Sequence, residues 1–178
     1  MRLATALLGN LSDSLMKTIN LLLAGTERRT NNLIQSVVLD ACYNHAAVNC
    51  LQTGRVDELL SRGSRAGLDL IIATPNHLLP EPSRRSGTVS AAEVAGVIRT
   101  LKQLQAVPVV AVAVPAHDEW AFSNAGADSI LCLPFNGDAL RAEVRRLLRM
   151  PQPAGEPESS RGSTFTVLLR GLRLLKNA

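Results

Sequence analysis

The chain has 178 residues, of which 46% are hydrophobic and only 3% aromatic, so we expect a single core built from Ala, Val, Leu and Ile. It contains no uncharged apolar run of about 18 residues and no signal-peptide pattern, which predicts a cytoplasmic protein without a membrane span. The net charge of +4 is too diffuse to indicate nucleic-acid binding. Cys42, Cys50 and Cys132 form no C-x-x-C pair, and we expect them to be reduced and buried.

Apolar runs alternate with helical patterns through the first half of the chain. The predicted elements are a strand at 19–24, a helix at 30–45, a short strand at 47–51, a helix at 56–64 and a strand at 68–73. A turn-rich segment with three prolines follows at 75–89. This half therefore predicts two strand–helix units and the strand of a third.

The second half begins with a capping box, in which Ser90 and Glu93 have the spacing that opens a helix. The predicted elements are a helix ending near 104, a strand at 107–114, a helix at 117–125 closed by Gly126, a strand at 129–133 and a helix at 138–150 capped by Asn136. Strands that are apolar on both faces predict a parallel sheet covered by helices on both sides. Residues 18–150 therefore predict a doubly wound, three-layer α/β domain.

The most specific pattern is Ala125-Gly-Ala-Asp-Ser-Ile-Leu-Cys-Leu-Pro-Phe135. It resembles the last strand of two-component response-regulator receiver domains, which reads Ala-Gly-Ala-Asp-x-aromatic-Leu-x-Lys-Pro-Phe. The fourth strand, beginning Pro108-Val-Val-Ala, and the third, Leu68-Asp-Leu-Ile-Ile-Ala, are also similar to that family. The resemblance implies a five-stranded, flavodoxin-like receiver fold with strand order 2-1-3-4-5 and a site beyond the carboxyl ends of the strands.

The resemblance also implies which positions would carry the chemistry of phosphoryl transfer. In receivers, an acidic pair holds Mg²⁺, an aspartate accepts the phosphoryl group, a Ser or Thr and a Lys bind it, and an aromatic side chain follows the switch. The corresponding positions in this chain are Ala24 and Gly25, Thr74, Ala113, Leu133 and Ile130.

None of these positions retains its chemistry, and a shift of one residue does not restore it. Positions 73–79 contain no acidic residue, and 111–115 and 131–135 contain no Ser, Thr or Lys. Glu27 comes two or three residues late, and one carboxylate is a poor Mg²⁺ site. Because the loss of clustered carboxylates also removes their mutual repulsion, we expect a domain locked in one state, without a metal, a cofactor or catalytic residues.

The favoured interpretation is a degenerate receiver that acts in signalling as a phosphorylation-independent protein-interaction module rather than as an enzyme. Trp120 on the fourth helix and Ile130 on the fifth strand would lie on the surface that receivers use for partners, although Trp120 could equally pack in the core. The alternative is a small-molecule sensor that uses the emptied, apolar pocket. A third reading, an enzyme of flavodoxin-like architecture, lacks a phosphate-binding glycine loop.

Other polar residues have simpler explanations than catalysis. Asn76 and His77 fit an exposed loop, although they lie close to the former pocket. Residues 117–119 (His-Asp-Glu) fit the start of a helix, where acidic groups favour the positive end of the dipole. Arg84 to Ser86 is similar to a kinase motif but fits a solvated loop.

Three appendages flank the domain. Residues 1–17 place leucines at 3, 7, 11 and 15, which predicts a helical extension, unless Met16 is the natural start. Residues 151–163 have the composition of a flexible linker. Residues 164–178, which include Leu168 and Leu172, are apolar with basic residues and favour docking on a protein partner or a second copy over contact with a membrane surface.

Overall fold

The computed structural model describes residues 17–74, 78–80, 89–113 and 118–151. Within these residues, strands and helices alternate through five β–α units, as the sequence predicts. The elements are β1 Lys17–Ala24, α1 Arg28–Cys42, β2 Ala46–Thr53, α2 Val56–Gly63, β3 Leu70–Ala73, α3 Ala91–Leu104, β4 Val109–Ala113, α4 Asp118–Ala125, β5 Ser129–Cys132 and α5 Gly137–Leu147.

All four strand pairings are parallel, and the sheet has the order β2-β1-β3-β4-β5. The predicted 2-1-3-4-5 topology is therefore confirmed. The chain order reverses between β1 and β3, so the carboxyl ends of these two strands border the crevice where doubly wound folds place their sites. β1 and β3 are in register from Leu21 opposite Leu70 to Ala24 opposite Ala73.

The sheet separates two apolar cores. Leu22, Ile71 and Val109 face the core shared with α2, α3 and α4, whereas their neighbours Leu21 and Ile72 face the core shared with α1 and α5. This alternation is the two-residue period of a strand buried on both faces. The core is aliphatic as predicted, apart from fully buried Phe122 of α4.

Polar groups just outside the elements shift several ends from their predicted positions. Helix α1 starts at Arg28 rather than at 30, because the Glu27 carboxylate accepts hydrogen bonds from the amides of Arg29 and Thr30. It ends at Cys42 rather than at 45, before Asn44 with its positive φ of 64°. Satisfied backbone groups, rather than apolar periodicity, therefore determine both ends of α1.

The other shifts are smaller. β1 includes Lys17, which the sequence assigns to the extension, and β2 spans 46–53 rather than 47–51. β3 and β4 begin two residues later than predicted, and β5 ends at Cys132, before the cis peptide bond between Leu133 and Pro134. Helices α2 and α5 end at 63 and 147 instead of 64 and 150, and α5 is followed by Arg149 with a φ of 55°.

Three predicted capping residues are confirmed. The Ser90 hydroxyl accepts from the Glu93 amide at 3.2 Å, and Asn136 Oδ1 accepts from the Asp138 amide at 3.0 Å. Gly126 adopts a φ of 87° directly after α4, a conformation that suits glycine. Asp118 and Glu119 lie in the first turn of α4, as their charge predicts.

The three cysteines are free, but only Cys42 is fully buried, while Cys50 and Cys132 are half-buried. The prediction of three buried thiols is thus wrong for two of them, since each lies on an edge strand of the sheet. Desolvation raises the pKa of both Cys42 and Cys50. No helix among the described residues has the length and hydropathy to cross a membrane.

Two aspartates of the receiver-like motifs accept hydrogen bonds from strand amides and lie directly before β3 and β5. Asp69 Oδ2 accepts from the Asn20 amide at 2.9 Å. Asp128 Oδ2 accepts from the Val109 amide at 2.7 Å and pairs with Lys102 Nζ at 2.8 Å. Both carboxylates therefore satisfy backbone donors at the edge of the sheet opposite the presumed site.

Replacing Asp128 with Ala should lower the free energy of unfolding by about 1–3 kcal/mol, because it leaves the Val109 amide without its acceptor and Lys102 without its partner. The matched control is Asp57→Ala, which removes a surface ion pair with Arg55 and one negative charge from the first turn of α2, and should cost about 1 kcal/mol or less. Urea unfolding of the three proteins measures the difference. Equal costs for the two substitutions would contradict the assigned role of Asp128.

Candidate functional site

The candidate site lies where β1 and β3 end side by side. The Gly25 amide donates to the Thr53 carbonyl, and the Thr74 amide donates to the Ala24 carbonyl, each at 2.8 Å. These bonds continue the sheet by one residue beyond each strand. They bring Ala24, Gly25 and Thr74 together, as the sequence predicts for residues at the carboxyl edge.

The side chain of Thr74 occupies the space beside Gly25. A Cβ atom added to Gly25 would lie 1.9 Å from Thr74 Oγ1 and 3.3 Å from Thr74 Cβ. Thr74 is 1% exposed, and its hydroxyl donates to the Ala24 carbonyl at 2.7 Å. A side chain at position 25, including the carboxylate that receivers carry there, is therefore incompatible with Thr74 in this conformation.

Asn31 of α1 closes the same space from the helix side. It is 4% exposed, and its Nδ2 donates to the Gly25 carbonyl at 2.8 Å. Its Oδ1 has no hydrogen-bond partner among the described residues and would lie 3.0 Å from a Cβ atom at Gly25. Asn31 is not among the site residues predicted from the sequence, although a polar residue on the buried face of a predicted helix is a readable signal.

The other two pocket positions lie further along the same edge. The Leu133 amide donates to the Ala113 carbonyl at 2.9 Å, which joins the ends of β4 and β5. Their side chains nevertheless separate: Ala113 is buried in the core with α2, α3 and α4, whereas half-buried Leu133 packs against the core with α1 and α5. At both positions the side chain is apolar and offers nothing that could bind a phosphoryl group.

The nearest carboxylate on β1's side of the site has a structural role. Glu27 directs both carboxylate oxygens at the amino-terminal amides of α1, at 3.1 and 2.6 Å. This is the interaction expected of an acidic group at the positive end of a helix. Among the described residues, no cluster of three or more His, Cys, Asp or Glu side chains could hold a metal ion.

Helix α4 and strand β5 form the surface on which the sequence places Trp120 and Ile130. Trp120 is 77% exposed, which settles the open choice between core and surface. Ile130 is half-buried and packs against the core with α2, α3 and α4, so it contributes only part of its side chain to that surface. The Cys132 thiol donates to Glu119 Oε1 at 2.6 Å and links the two elements, a contact that sequence spacing did not reveal.

One cleft in the described part of the chain lies at the opposite edge of the sheet. It has a volume of about 450 Å³ and is lined by residues that include Lys17, Asp69, Asp128 and Arg149. A smaller cleft of about 230 Å³ lies beside Asn20 and Leu51. Neither is lined by any of the five predicted pocket residues.

Several candidate residues lie outside the described part of the chain. They are Asn76, His77, Arg84 to Ser86, His117, Leu168 and Leu172, together with the extension at 1–16 and the residues from 152 onward.

Solved structures identify the fold. A receiver domain of a sensor histidine kinase from Pseudomonas aeruginosa matches with a TM-score of 0.56 and 16% identity, over 74% of this chain and 98% of that one. The chain has the receiver fold. The receiver domain of NtrX from Brucella abortus matches at 0.56 and 15% identity, over 74% and 99%. A protein named for pilus assembly from Burkholderia thailandensis matches at 0.50 and 19% identity, over 74% and 99%.

No protein-family model matches the sequence, and no curated protein matches it. The resemblance to receivers is therefore carried by the backbone and by the motifs at β3, β4 and β5. The Pseudomonas receiver holds a magnesium ion in its active-site cleft. The corresponding crevice of this chain contains the Gly25–Thr74 contact.

Proposed function

We propose that this chain is a degenerate receiver that acts in signal transduction through protein contacts and without phosphorylation. The observation that carries the proposal is the contact between Thr74 and Gly25. In this contact a hydrogen-bonded hydroxyl fills the space that a side chain at position 25 would need, and the resemblance to receivers implies a metal-binding carboxylate at that position. Phosphoryl transfer to an aspartate needs a nucleophile, a metal and a cation at one place, and the positions for all three carry other residues.

The absence of charge at the other positions supports the same proposal. Ala24, Ala113 and Leu133 cannot bind Mg²⁺ or a phosphoryl group, and Thr74 has no base beside it among the described residues. The switch of a receiver depends on a phosphoryl group that pulls a hydroxyl toward it. With Ala113 at the hydroxyl position, the domain keeps one conformation and presents a constant surface.

The surface formed by α4 and β5, together with adjoining α5, is the proposed contact site for a protein partner. Its most exposed apolar group is Trp120, and aromatic side chains of this kind are enriched at the centres of protein interfaces. A homodimer through this surface is a second arrangement of the same function. The pilus-assembly relative illustrates that this fold occurs in proteins that are not named as response regulators.

A small-molecule sensor receives less support from the geometry. The space that the sequence analysis treated as an emptied pocket is taken up by Thr74 and Asn31 around Gly25. Ligand pockets are usually preformed cavities that bury most of the ligand. The interaction module is therefore the function that we propose.

Amide NMR spectra before and after addition of Mg²⁺ and beryllofluoride test the proposal, because beryllofluoride imitates an aspartyl phosphate. We expect the amide signals of Gly25, Thr74, Ala113 and Leu133 to remain unchanged. Magnesium and fluoride without beryllium are the control for ionic effects, and an active receiver is the positive control. Shifts that cluster at these four amides only with beryllium present would overturn the proposal.

A further inference from the structure

The most exposed apolar side chain on the described surface belongs to Trp120. Its 77% exposure compares with 39–72% for the other exposed large apolar residues, and indole is the largest of these side chains. Trp120 lies on α4 between Glu119, which bonds to β5, and Ala121, which packs on the core with α2 and α3. The indole therefore projects from the outer side of α4, where its burial against another segment would remove a large apolar area from water.

The first turn of α4, in which Trp120 lies, is acidic. Asp118 and Glu119 precede it in the first turn of α4, and Asp118 has no ion-pair partner among the described residues. On α5, Glu143 and Arg146 neutralise each other in an ion pair at 2.6 Å. The surface around Trp120 is thus apolar at its centre and negatively charged at one end of α4.

The carboxyl-terminal segment of the chain, residues 164–178, has the complementary chemistry. It carries Leu168 and Leu172 among other apolar residues, and its charged residues are Arg170, Arg173 and Lys176. A segment with apolar residues and only positive charges fits an acidic surface with an exposed indole. The composition of this segment favours docking on a protein surface, and the function proposed above does not use it.

The tether that joins this segment to the domain starts at the amino edge of the sheet, where Leu147 and Arg149 line the cleft of about 450 Å³, whereas Trp120 lies near the carboxyl edge, at the other end of α4. α5 adjoins β5 and ends at Leu147, and the described chain ends at Pro151. Residues 151–163 have a flexible composition and span about 20 Å on average, which exceeds the length of α4. A tether of this kind gives an effective concentration in the millimolar range, so that even a weak contact is occupied for much of the time.

We propose that residues 164–178 dock in cis over Trp120 and cover the interaction surface of α4 and β5. The inference rests on the function proposed above, because the covered surface is the one assigned to partners. A partner then has to compete with the tail, so binding of the tail elsewhere exposes the surface.

Fluorescence of the full-length chain tests this directly, because Trp120 is its only tryptophan. In the native chain we expect Trp120 to be protected from acrylamide. Leu168→Ser/Leu172→Ser should raise the quenching constant roughly twofold or more and shift the emission to longer wavelength. The matched control is Leu7→Ser/Leu11→Ser, which makes the same change in the other terminal segment and should leave the quenching unchanged.

Charge provides a second, independent variant. Arg170→Glu/Arg173→Glu should raise quenching in the same way, since the reversed charges would face Asp118 and Glu119. In the native chain, protection that is equal at about 1 and 100 µM protein supports docking in cis. Protection that grows with concentration, together with a doubled mass, would overturn it in favour of a tail bound to a second copy.

Equal quenching of the native chain and both tail variants would also overturn the inference. Circular dichroism of each variant, compared with the native chain, identifies any loss of fold. The outcome is separate from that of the beryllofluoride test. Amide shifts in that test would contradict the proposed function but not the tail contact. An accessible Trp120 in the native chain would contradict the tail contact but not the proposal that the domain keeps one state.

Discussion

Replacement of Gly25 with Ala should lower the free energy of unfolding by about 2–3 kcal/mol. The added methyl group would lie 1.9 Å from Thr74 Oγ1, so Thr74 has to turn away and lose its 2.7 Å hydrogen bond to the Ala24 carbonyl. Backbone strain does not contribute, because Gly25 does not have a positive φ. Urea unfolding with an unchanged m-value measures the loss.

A double-mutant cycle with Thr74→Ala separates this clash from other effects. Thr74→Ala alone should cost about 1 kcal/mol, because the Ala24 carbonyl keeps its bond to the amide of residue 74. The double variant should be more stable than the sum of the single effects by at least about 1 kcal/mol, since the closest atom of Thr74 is then gone. Additive costs would contradict the assigned contact.

Gly96→Ala is the matched control for the glycine substitution. Gly96 lies in the interior of α3, and a Cβ atom there would meet no atom within 4 Å. Alanine has the higher helix propensity, so this change should stabilise the chain by up to about 1 kcal/mol. The same chemical change therefore has opposite signs at the two positions. A loss of stability in the Gly96→Ala variant would contradict the view that the space around each glycine determines the effect of the added methyl group.

The contact between Gly25 and Thr74 also bears on the loss of receiver chemistry. A carboxylate at position 25 needs the space that Thr74 fills in its hydrogen-bonded conformation, and Thr74 can keep that conformation only beside a glycine. The two positions are therefore physically dependent on each other. Restoring a single acidic residue would add a clash and a buried charge without completing a metal site.

The residues of this chain that match the receiver motifs have structural roles. Asp69 and Asp128 accept hydrogen bonds from strand amides, and Gly126 provides the positive φ after α4. The altered positions, by contrast, would serve only to bind a metal or a phosphoryl group. This division is consistent with a sequence that resembles receivers at β3, β4 and β5 and differs from them at the site positions.

The architecture was predictable because it depends on patterns that are local in sequence. Strands that are apolar on both faces and helices with one apolar stripe define five β–α units, and Ser90, Gly126 and Asn136 mark three helix ends correctly. The start of α1 was missed because Glu27 is an unusual capping residue. Its end was missed because Asn44 stops the helix where apolar residues continue.

The candidate site was predictable only as a set of positions. Sequence alignment to the receiver motifs places Ala24, Gly25 and Thr74 at one edge, and the structure brings them together. What fills the edge depends on residues far apart in sequence, so neither the Gly25–Thr74 contact nor the role of Asn31 follows from any local pattern. The split of Ala113 and Leu133 between two cores, by contrast, follows the two-residue alternation along β4 and β5, which is a local pattern.

At pH 8, alkylation of the Cys132 thiol should run roughly 50-fold slower than that of an unperturbed thiol. Desolvation, then the hydrogen bond to Glu119 and the charges of Glu119 and Asp118, raise the pKa of Cys132 to about 12. The thiolate fraction falls by about three orders of magnitude. A more basic thiolate is also more nucleophilic, which raises the alkylation rate by about one and a half orders of magnitude. The lower thiolate fraction is the larger effect, so the net rate falls.

The pH profile distinguishes this effect from simple shielding of the sulfur. Because the pKa is raised, the rate should climb about tenfold per pH unit from 8 to 11 without a plateau. Labelled peptides quantified by mass spectrometry give the rate at Cys132 itself. A plateau near pH 9 would show that access, rather than thiolate formation, limits the reaction.

The Glu119→Gln variant tests the cause of the shift. It removes the negative charge beside the thiol but keeps the side-chain shape, so the rate at pH 8 should rise several-fold. Desolvation is the largest cause and remains, so the rate should stay below that of a free thiol. Glu143→Gln on α5, where the carboxylate pairs with Arg146, should have no effect. If Glu119 holds the thiol in its neutral, donating form, it also holds α4 against β5, as a domain locked in one state requires.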